Sequence, residues 1–202
     1  MTQKKQILLH TCCAPCVCYV YELLKDSFDV VSYFFNPNIA PLREFNFRLD
    51  ELKRFSGMKG MALIAAEGGA DEWLAKVSPF AEYGERSERC SACFRCRLES
   101  SFQKAIELGI GIVGTSLSIS PRKDAGMINR AGAELSEKYN VEFYQADFKK
   151  KDGFKKSVEL SKMYGFYRQD YCGCVFSKAE RERSNRADCS GRPTASFPEH
   201  TP

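Results

Sequence analysis

Four cysteines fall within nine residues of HTCCAPCVC (10–18), at Cys12, Cys13, Cys16 and Cys18, directly after the apolar run QILL. Two further groups lie far along the chain: CSACFRC, with Cys90, Cys93 and Cys96, and CGC, with Cys172 and Cys174. Thiolates are ligands that iron and zinc prefer, and two intervening residues let both sulfurs of a C-x2-C converge on one centre. Either metal chemistry needs four ligands. Cys12, Cys13, Cys90 and Cys93 supply such a set once folding joins distant segments. A structural zinc more often draws on two separated knuckles than on neighbouring cysteines, so the adjacency of Cys12 and Cys13 favours a larger centre. At a helix N-terminus their thiolates would also be stabilised by the helix dipole.

The CGC pair admits two readings. Glycine gives the backbone freedom for a small strained disulfide, the reducible kind, which would act as a two-electron store. The other reading is a second metal site, with Asp170 or Asp147 completing the shell. The residue types do not separate the two. Cys16, Cys18 and Cys96 read as small buried residues, which free cysteines usually are. Cys189 falls in a stretch too irregular to hold a metal in fixed geometry.

These groups need a scaffold. A chain of 202 residues, 44% hydrophobic and with a net charge of +4, suffices for one globular domain with a sizeable core and is no polycation. The apolar run near the N-terminus is too brief for a signal peptide and none is long enough to span a membrane, so the expectation is a soluble, cytoplasmic protein. In that reducing compartment ten cysteines point to metal binding or redox chemistry rather than a disulfide framework. Strands are predicted over 6–10, 29–36, 61–66, 111–120 and 141–148. Helices are predicted from Pro15, over 42–57, 71–82, 97–109, 125–139 and 154–165. The alternation predicts an α/β, Rossmann-like parallel sheet with helices on both faces, its active residues at the C-terminal strand ends and every cysteine group at such an end or in a loop. One domain is expected over 1–183. Residues 184–202 gather Gly, Pro, Ser and Thr and read as a mobile tail.

LLHTCCAPC (8–16), FFNPNIAPLREFNFR (34–48), RCSACFRCRL (89–98), TSLSISPRKDAGMIN (115–129), ADFKKKDGFKKSVELS (146–161) and FYRQDYCGC (166–174) together resemble the epoxyqueuosine reductases of the QueH type. The resemblance covers most of residues 7–177. It implies an HUP-like Rossmann fold, a [4Fe-4S] cluster on Cys12, Cys13, Cys90 and Cys93, and a redox-active pair at Cys172 and Cys174. An adjacent mononuclear iron is the alternative to that pair. No SGGxD phosphate loop follows the first strand, and cysteines stand in its place, which argues against an ATP-dependent reaction.

The implied reaction is the last step of tRNA queuosine biosynthesis. The epoxide of epoxyqueuosine in the anticodon is reduced to the alkene by two electrons and two protons, with release of water. A cluster passes electrons singly and a dithiol holds two, so an external electron donor, which the sequence does not identify, could feed the step. Asp170, Tyr171, His10 and Asp124 are the candidate acids or ligands by their nearness to the motifs, with His10 equally readable as a satisfied core histidine. Arg43, Arg122, Lys149, Lys150 and Arg168, with Arg48 and Lys123, would form an electropositive face for the tRNA. Aromatics including Phe35, Phe45, Phe94, Phe148, Tyr167 and Tyr171 could stack on its bases. The rival readings are a zinc-stabilised RNA- or protein-binding module without catalysis and a metal-free thiol–disulfide oxidoreductase.

Overall fold

The computed structural model describes residues 4–190, with side chains described through Arg186. Five parallel strands, β1 (Lys5–His10), β2 (Phe28–Phe35), β3 (Ala62–Ala66), β4 (Ile112–Thr115) and β5 (Glu142–Phe143), form one sheet in the order β3-β2-β1-β4-β5. Parallel neighbours need crossovers, and helices supply them on both faces: α1 (Ala14–Leu24), α2 (Leu42–Lys59), α3 (Ala70–Val77), α4 (Glu88–Glu107), α5 (Ala125–Tyr139) and α6 (Gly153–Met163). This is the doubly wound architecture expected from the alternating pattern.

Strand β1 takes the centre of the sheet, between β2 and β4. Ile7, Leu8 and Leu9 of β1 are wholly buried because helices cover both sides of the sheet. Ile7 and Leu9 join Val30 and Phe34 in a core with Val17, Val20, Leu52 and Phe55 from α1 and α2. Leu8 faces the other way, packing with Val31, Leu98, Phe102, Ile128 and Leu135 against α4 and α5. Each such side chain contributes roughly 1.5–3 kcal/mol of burial. In α5, Gly132 is where the helix passes closest to the sheet: a Cβ there would stand 2.2 Å from Phe143 Cε1.

Several elements depart from the sequence expectation. Helix α4 begins at Glu88, nine residues before the predicted 97, so Cys90, Cys93 and Cys96 lie on a helix rather than in a loop. Strand β4 stops at Thr115, where the Thr115 hydroxyl accepts the Leu117 N–H (3.2 Å) and turns the chain into a 3-10 helix over Ser116–Ile119. β5 pairs through only two residues, at the sheet edge. A further helix, α7 (Val175–Ser190), runs through residue 184, where a tail was expected. Residues 191–202 lie outside the described residues, as does the Cys189 side chain.

The segment leading into α7 is tied to the sheet by one arginine. Arg48, 2% exposed on α2, pairs with Glu44 Oε1 (2.7 Å) and donates to the carbonyls of Cys172 (3.0 Å) and Tyr171 (3.5 Å), with its guanidinium over the Tyr171 ring. Ala40 N–H donates to the Gly173 carbonyl (2.9 Å). Gly173 has φ 121°, in the region that disfavours side chains, and a Cβ there would sit 3.1 Å from Arg48 Nη1 and Ile39 Cγ1. Two outcomes follow for urea unfolding. Arg48→Met, which strips a buried charge from its partners, lowers the unfolding free energy by roughly 3 kcal/mol. Gly132→Ala lowers it by about 1–3 kcal/mol through overpacking on Phe143, despite the better helix propensity of alanine; a more stable variant would show that the interface yields.

Candidate active site

The C-terminal ends of β1, β2 and β4 meet at one edge of the sheet, and His10 joins them. Its Nε2–H donates to the Phe35 carbonyl (3.2 Å), while Nδ1 accepts from the Thr115 hydroxyl (3.0 Å). Burial, with Arg97 nearby, brings its pKa down to about 3. A neutral imidazole with both nitrogens occupied is a strut between strands, not the acid considered for it. Just beyond, Asn36 Nδ2 donates to the Thr11 carbonyl (2.8 Å) and fixes the turn into the cysteines.

That turn delivers three sulfurs. Cys13 caps α1, its carbonyl accepting from the N–H groups of Cys16 (3.2 Å) and Val17 (3.3 Å), with Pro15 in the first turn where its missing N–H costs nothing. Cys12 and Cys13 Sγ lie 3.7 Å apart, and with Cys16 Sγ all three fall within 4.8 Å of one another. Hydrogen bonds from the Cys13 and Cys16 thiols hold Cys12 well below the usual thiol range. Burial, together with its bond to Cys12, pushes Cys13 up to about 12, and the bonds to Cys12 and Cys13 push Cys16 well up. The trio thus gathers three sulfurs at the positive end of a helix. Reading Cys16 as a passive buried residue missed this. Its spacing of three and four residues from Cys13 and Cys12, one helical turn, is the signal that could have found it.

The early start of α4 places the second group. Cys90 and Cys93 line a chamber with Asn38, Trp73, Cys172 and Cys174. Burial raises the pKa of Cys90 and pushes that of Cys93 up to about 12. One turn on, Arg97 is 1% exposed; burial opposes its charge, and the neighbouring Cys93, Cys12 and Cys172 favour it. Sulfurs from all three sequence groups therefore surround one cation. Lys123 is similar: burial opposes its charge, and Cys172, Cys12 and Cys16 raise its pKa above the usual lysine range. Among the described residues no carboxylate forms a salt bridge with either side chain. Buried cations facing thiols fit an anionic, sulfur-ligated iron group, and the thiolates are the donors such a group takes.

Cys172 lines a second cavity as well, an open cleft of about 590 Å³ of empty volume shared with Cys16, Lys123, Arg122, Arg168 and Tyr171. Cys172 and Cys174 are both free thiols, so the disulfide expected as one reading of CGC is not formed. The backbone explains it. Cys174 turns away to cap α7, its Sγ accepting the Ser177 N–H (3.3 Å), while Cys172 lines the cleft.

The other candidates divide. Arg122 and Arg168 line the cleft, and Arg168 also donates to Ser161 Oγ (3.2 Å). Tyr171 joins the cleft to a shallow groove holding Arg43, and its hydroxyl donates to the Ala40 carbonyl (3.0 Å). Asp170 is instead half exposed and paired with Arg181 (3.1 Å). Asp147 pairs with Lys149 (3.2 Å), whose Nζ also donates to the carbonyls of Ser118 and Lys123. Lys149 thus braces the loop after β4, and Lys150 is exposed. Asp124 caps α5, accepting the Met127 N–H (2.8 Å). Of the aromatics, Phe45, Phe94 and Phe148 are core.

Solved structures share this fold. A predicted subunit of a tRNA methyltransferase from Methanocaldococcus jannaschii superposes with a TM-score of 0.54 at 12% identity, covering 96% of this chain and 93% of that one. The U34-tRNA thiolase NcsA from Methanococcus maripaludis, solved with its [4Fe-4S] cluster, gives 0.53 at 13% identity, covering 93% and 68%. At the sequence level, the epoxyqueuosine reductase QueH of Staphylococcus epidermidis is 38% identical over 183 residues, 87% of this chain and 77% of that one. That of Thermotoga maritima is 37% identical over 190 residues, 91% and 95%. The family model described as epoxyqueuosine reductase QueH matches residues 7–180, the span that carries all three cysteine groups, and the chain belongs to this family of oxidoreductases.

Proposed function

We propose that the chain reduces the epoxide of epoxyqueuosine in the anticodon of tRNA, with Cys12, Cys13, Cys90 and Cys93 holding a [4Fe-4S] cluster. The observation that carries this reading is the gathering of the separated cysteine groups around Arg97 and Lys123, two buried cations without carboxylate partners. When bound, the cluster supplies electrons one at a time, drawn from an external donor. In the overall reaction both C–O bonds of the epoxide break, a carbon–carbon double bond forms, and the oxygen leaves as water after uptake of two electrons and two protons.

The chain's own residues bind and orient the substrate. Arg122 and Arg168 on the cleft wall suit the phosphates flanking the modified nucleoside. Lys123 brings a desolvated positive charge to the cleft floor, where negative charge develops on the departing oxygen. Cys172 lines both the cleft and the cysteine chamber, so its thiol would stand between a substrate in the one and a cluster held by the other. Tyr171 shapes the cleft mouth; with its proton committed to the Ala40 carbonyl it acts as a wall. Among the described residues no helix is long and apolar enough to cross a membrane.

Iron, zinc and acid-labile sulfide on anaerobically purified protein test the ligand set. Close to four irons and four sulfides per chain are expected, and a further iron would mark a mononuclear site beside Cys172. Cys93→Ser loses the iron and sulfide, whereas Cys96→Ser keeps them. Zinc without sulfide, reproduced after attempted reconstitution, overturns the proposal in favour of a zinc-stabilised binding module. Cys172→Ser is expected to retain the cluster and lose at least about 100-fold in epoxide reduction, a loss typical of removing a group that acts in the transition state; full turnover removes Cys172 from the mechanism.

A further inference from the structure

The chamber beside Cys93 concentrates polar atoms that have no partner. Six buried side-chain nitrogens and oxygens among the described residues lack a hydrogen bond to nitrogen or oxygen: three lie on the chamber wall, Asn38 Nδ2 and Oδ1 and Trp73 Nε1, and a fourth, Arg97 Nε, is on the side chain one helical turn beyond Cys93. Asn38 is 1% exposed, Trp73 5% and Arg97 1%, so bulk solvent does not reach them. An unsatisfied buried polar group is costly enough that it calls for a physical reason. Three of the four are N–H donors, and they come from three different elements: the loop after β2, helix α3 and helix α4.

What surrounds them is sulfur. Asn38 and Trp73 line the chamber with Cys90 and Cys93, Trp73 packs in one cluster with Cys93, and Arg97 lies one helical turn beyond Cys93 on the buried stripe of α4. Sulfur accepts weakly as a thiol and far better as a metal-bound thiolate or a sulfide, where negative charge sits on it. Donors left without acceptors around neutral thiols become satisfied once that sulfur is anionic.

Resting on the function proposed above, we infer that Asn38, Trp73 and Arg97 are positioning residues that donate N–H···S hydrogen bonds to the sulfur-rich anion held at Cys90 and Cys93, and so raise its reduction potential. Reduction adds negative charge to the sulfurs, and a fixed donor stabilises the reduced form more than the oxidised one. Arg97 also has its guanidinium anchored on Asn36 Oδ1, so its Nε is held in place rather than free to follow solvent. Trp73 keeps its ring packed on Phe176, and that packing is independent of the indole N–H.

Trp73→Phe deletes one donor and keeps an aromatic ring, and Asn38→Leu replaces an orphaned amide with an apolar side chain of similar size. Both are measured as reconstituted protein by anaerobic redox titration, with iron and sulfide content alongside. Each variant is expected to bind a full cluster whose potential shifts negative, its reduction equilibrium constant falling roughly 3- to 10-fold, as for the net loss of one ordinary hydrogen bond. Without the cluster, Asn38→Leu is expected to melt at or above the temperature of the parent, because an unsatisfied group has been removed. Unmoved potentials in both variants at full cluster content overturn the inference and leave the proposed function standing. A cluster-free melting temperature well below the parent's would assign Asn38 a role in folding and overturn its part. A parent chain that takes up no iron or sulfide overturns both proposals together.

Discussion

Arg97 is a full positive charge in the interior of the protein that, among the described residues, meets no carboxylate. Everything near it answers that charge: Cys12, Cys93 and Cys172 converge from three distant segments, Asn36 anchors one nitrogen, and Lys123 adds a second buried cation to the same volume. Burying such a group is tolerable only where anionic partners accompany it. The architecture follows from meeting that condition. The parallel sheet gathers the ends of β1, β2 and β4 at one edge, α4 presents Arg97 and the C-x2-C from the side, and the loop before α7 closes over them through Arg48.

The same constraint separates the parts of the chain that hold shape from those that do chemistry. His10, Thr11, Asn36 and Arg48 are buried and polar, yet each has its partners within the protein, so they fix strand ends and loop paths. Asn38, Trp73 and the Nε of Arg97 are equally buried and have none. A sheet edge built from satisfied struts can carry an unsatisfied chamber without yielding, because the cost is borne by a rigid surround.

The sheet was legible in the sequence because its strands are dense in β-branched and aromatic residues and its helices carry clear apolar spacing. The convergence of the Cys12 and Cys13 sulfurs was legible as well, from their adjacency, although Cys16 as their third neighbour was not. The start of α4 was not. Its buried stripe runs through Arg89, Cys93, Arg97 and Ser101, and side chains of those types at inward positions disguise a helix as a polar loop. Helix α7 hid for a related reason: VFSKAERERSNRADCS has little apolar content to reveal a period. Strand β5 was overestimated because an apolar run at a sheet edge does not tell where pairing stops. Asp170 looked chemical for its nearness to CGC along the chain, but the side chain turns outward to Arg181, a direction that sequence distance does not encode.

Cys172 lines both the open cleft and the chamber that contains Cys90 and Cys93, so one sulfur atom forms part of the partition between them. Molecular oxygen or peroxide arriving by the cleft meets this thiol on the way to the deeper sulfurs. The partition therefore has a defensive aspect. An oxidant consumed at Cys172 leaves a sulfenic acid that cellular thiols can reverse, and spares the interior a lesion that would require rebuilding the whole centre.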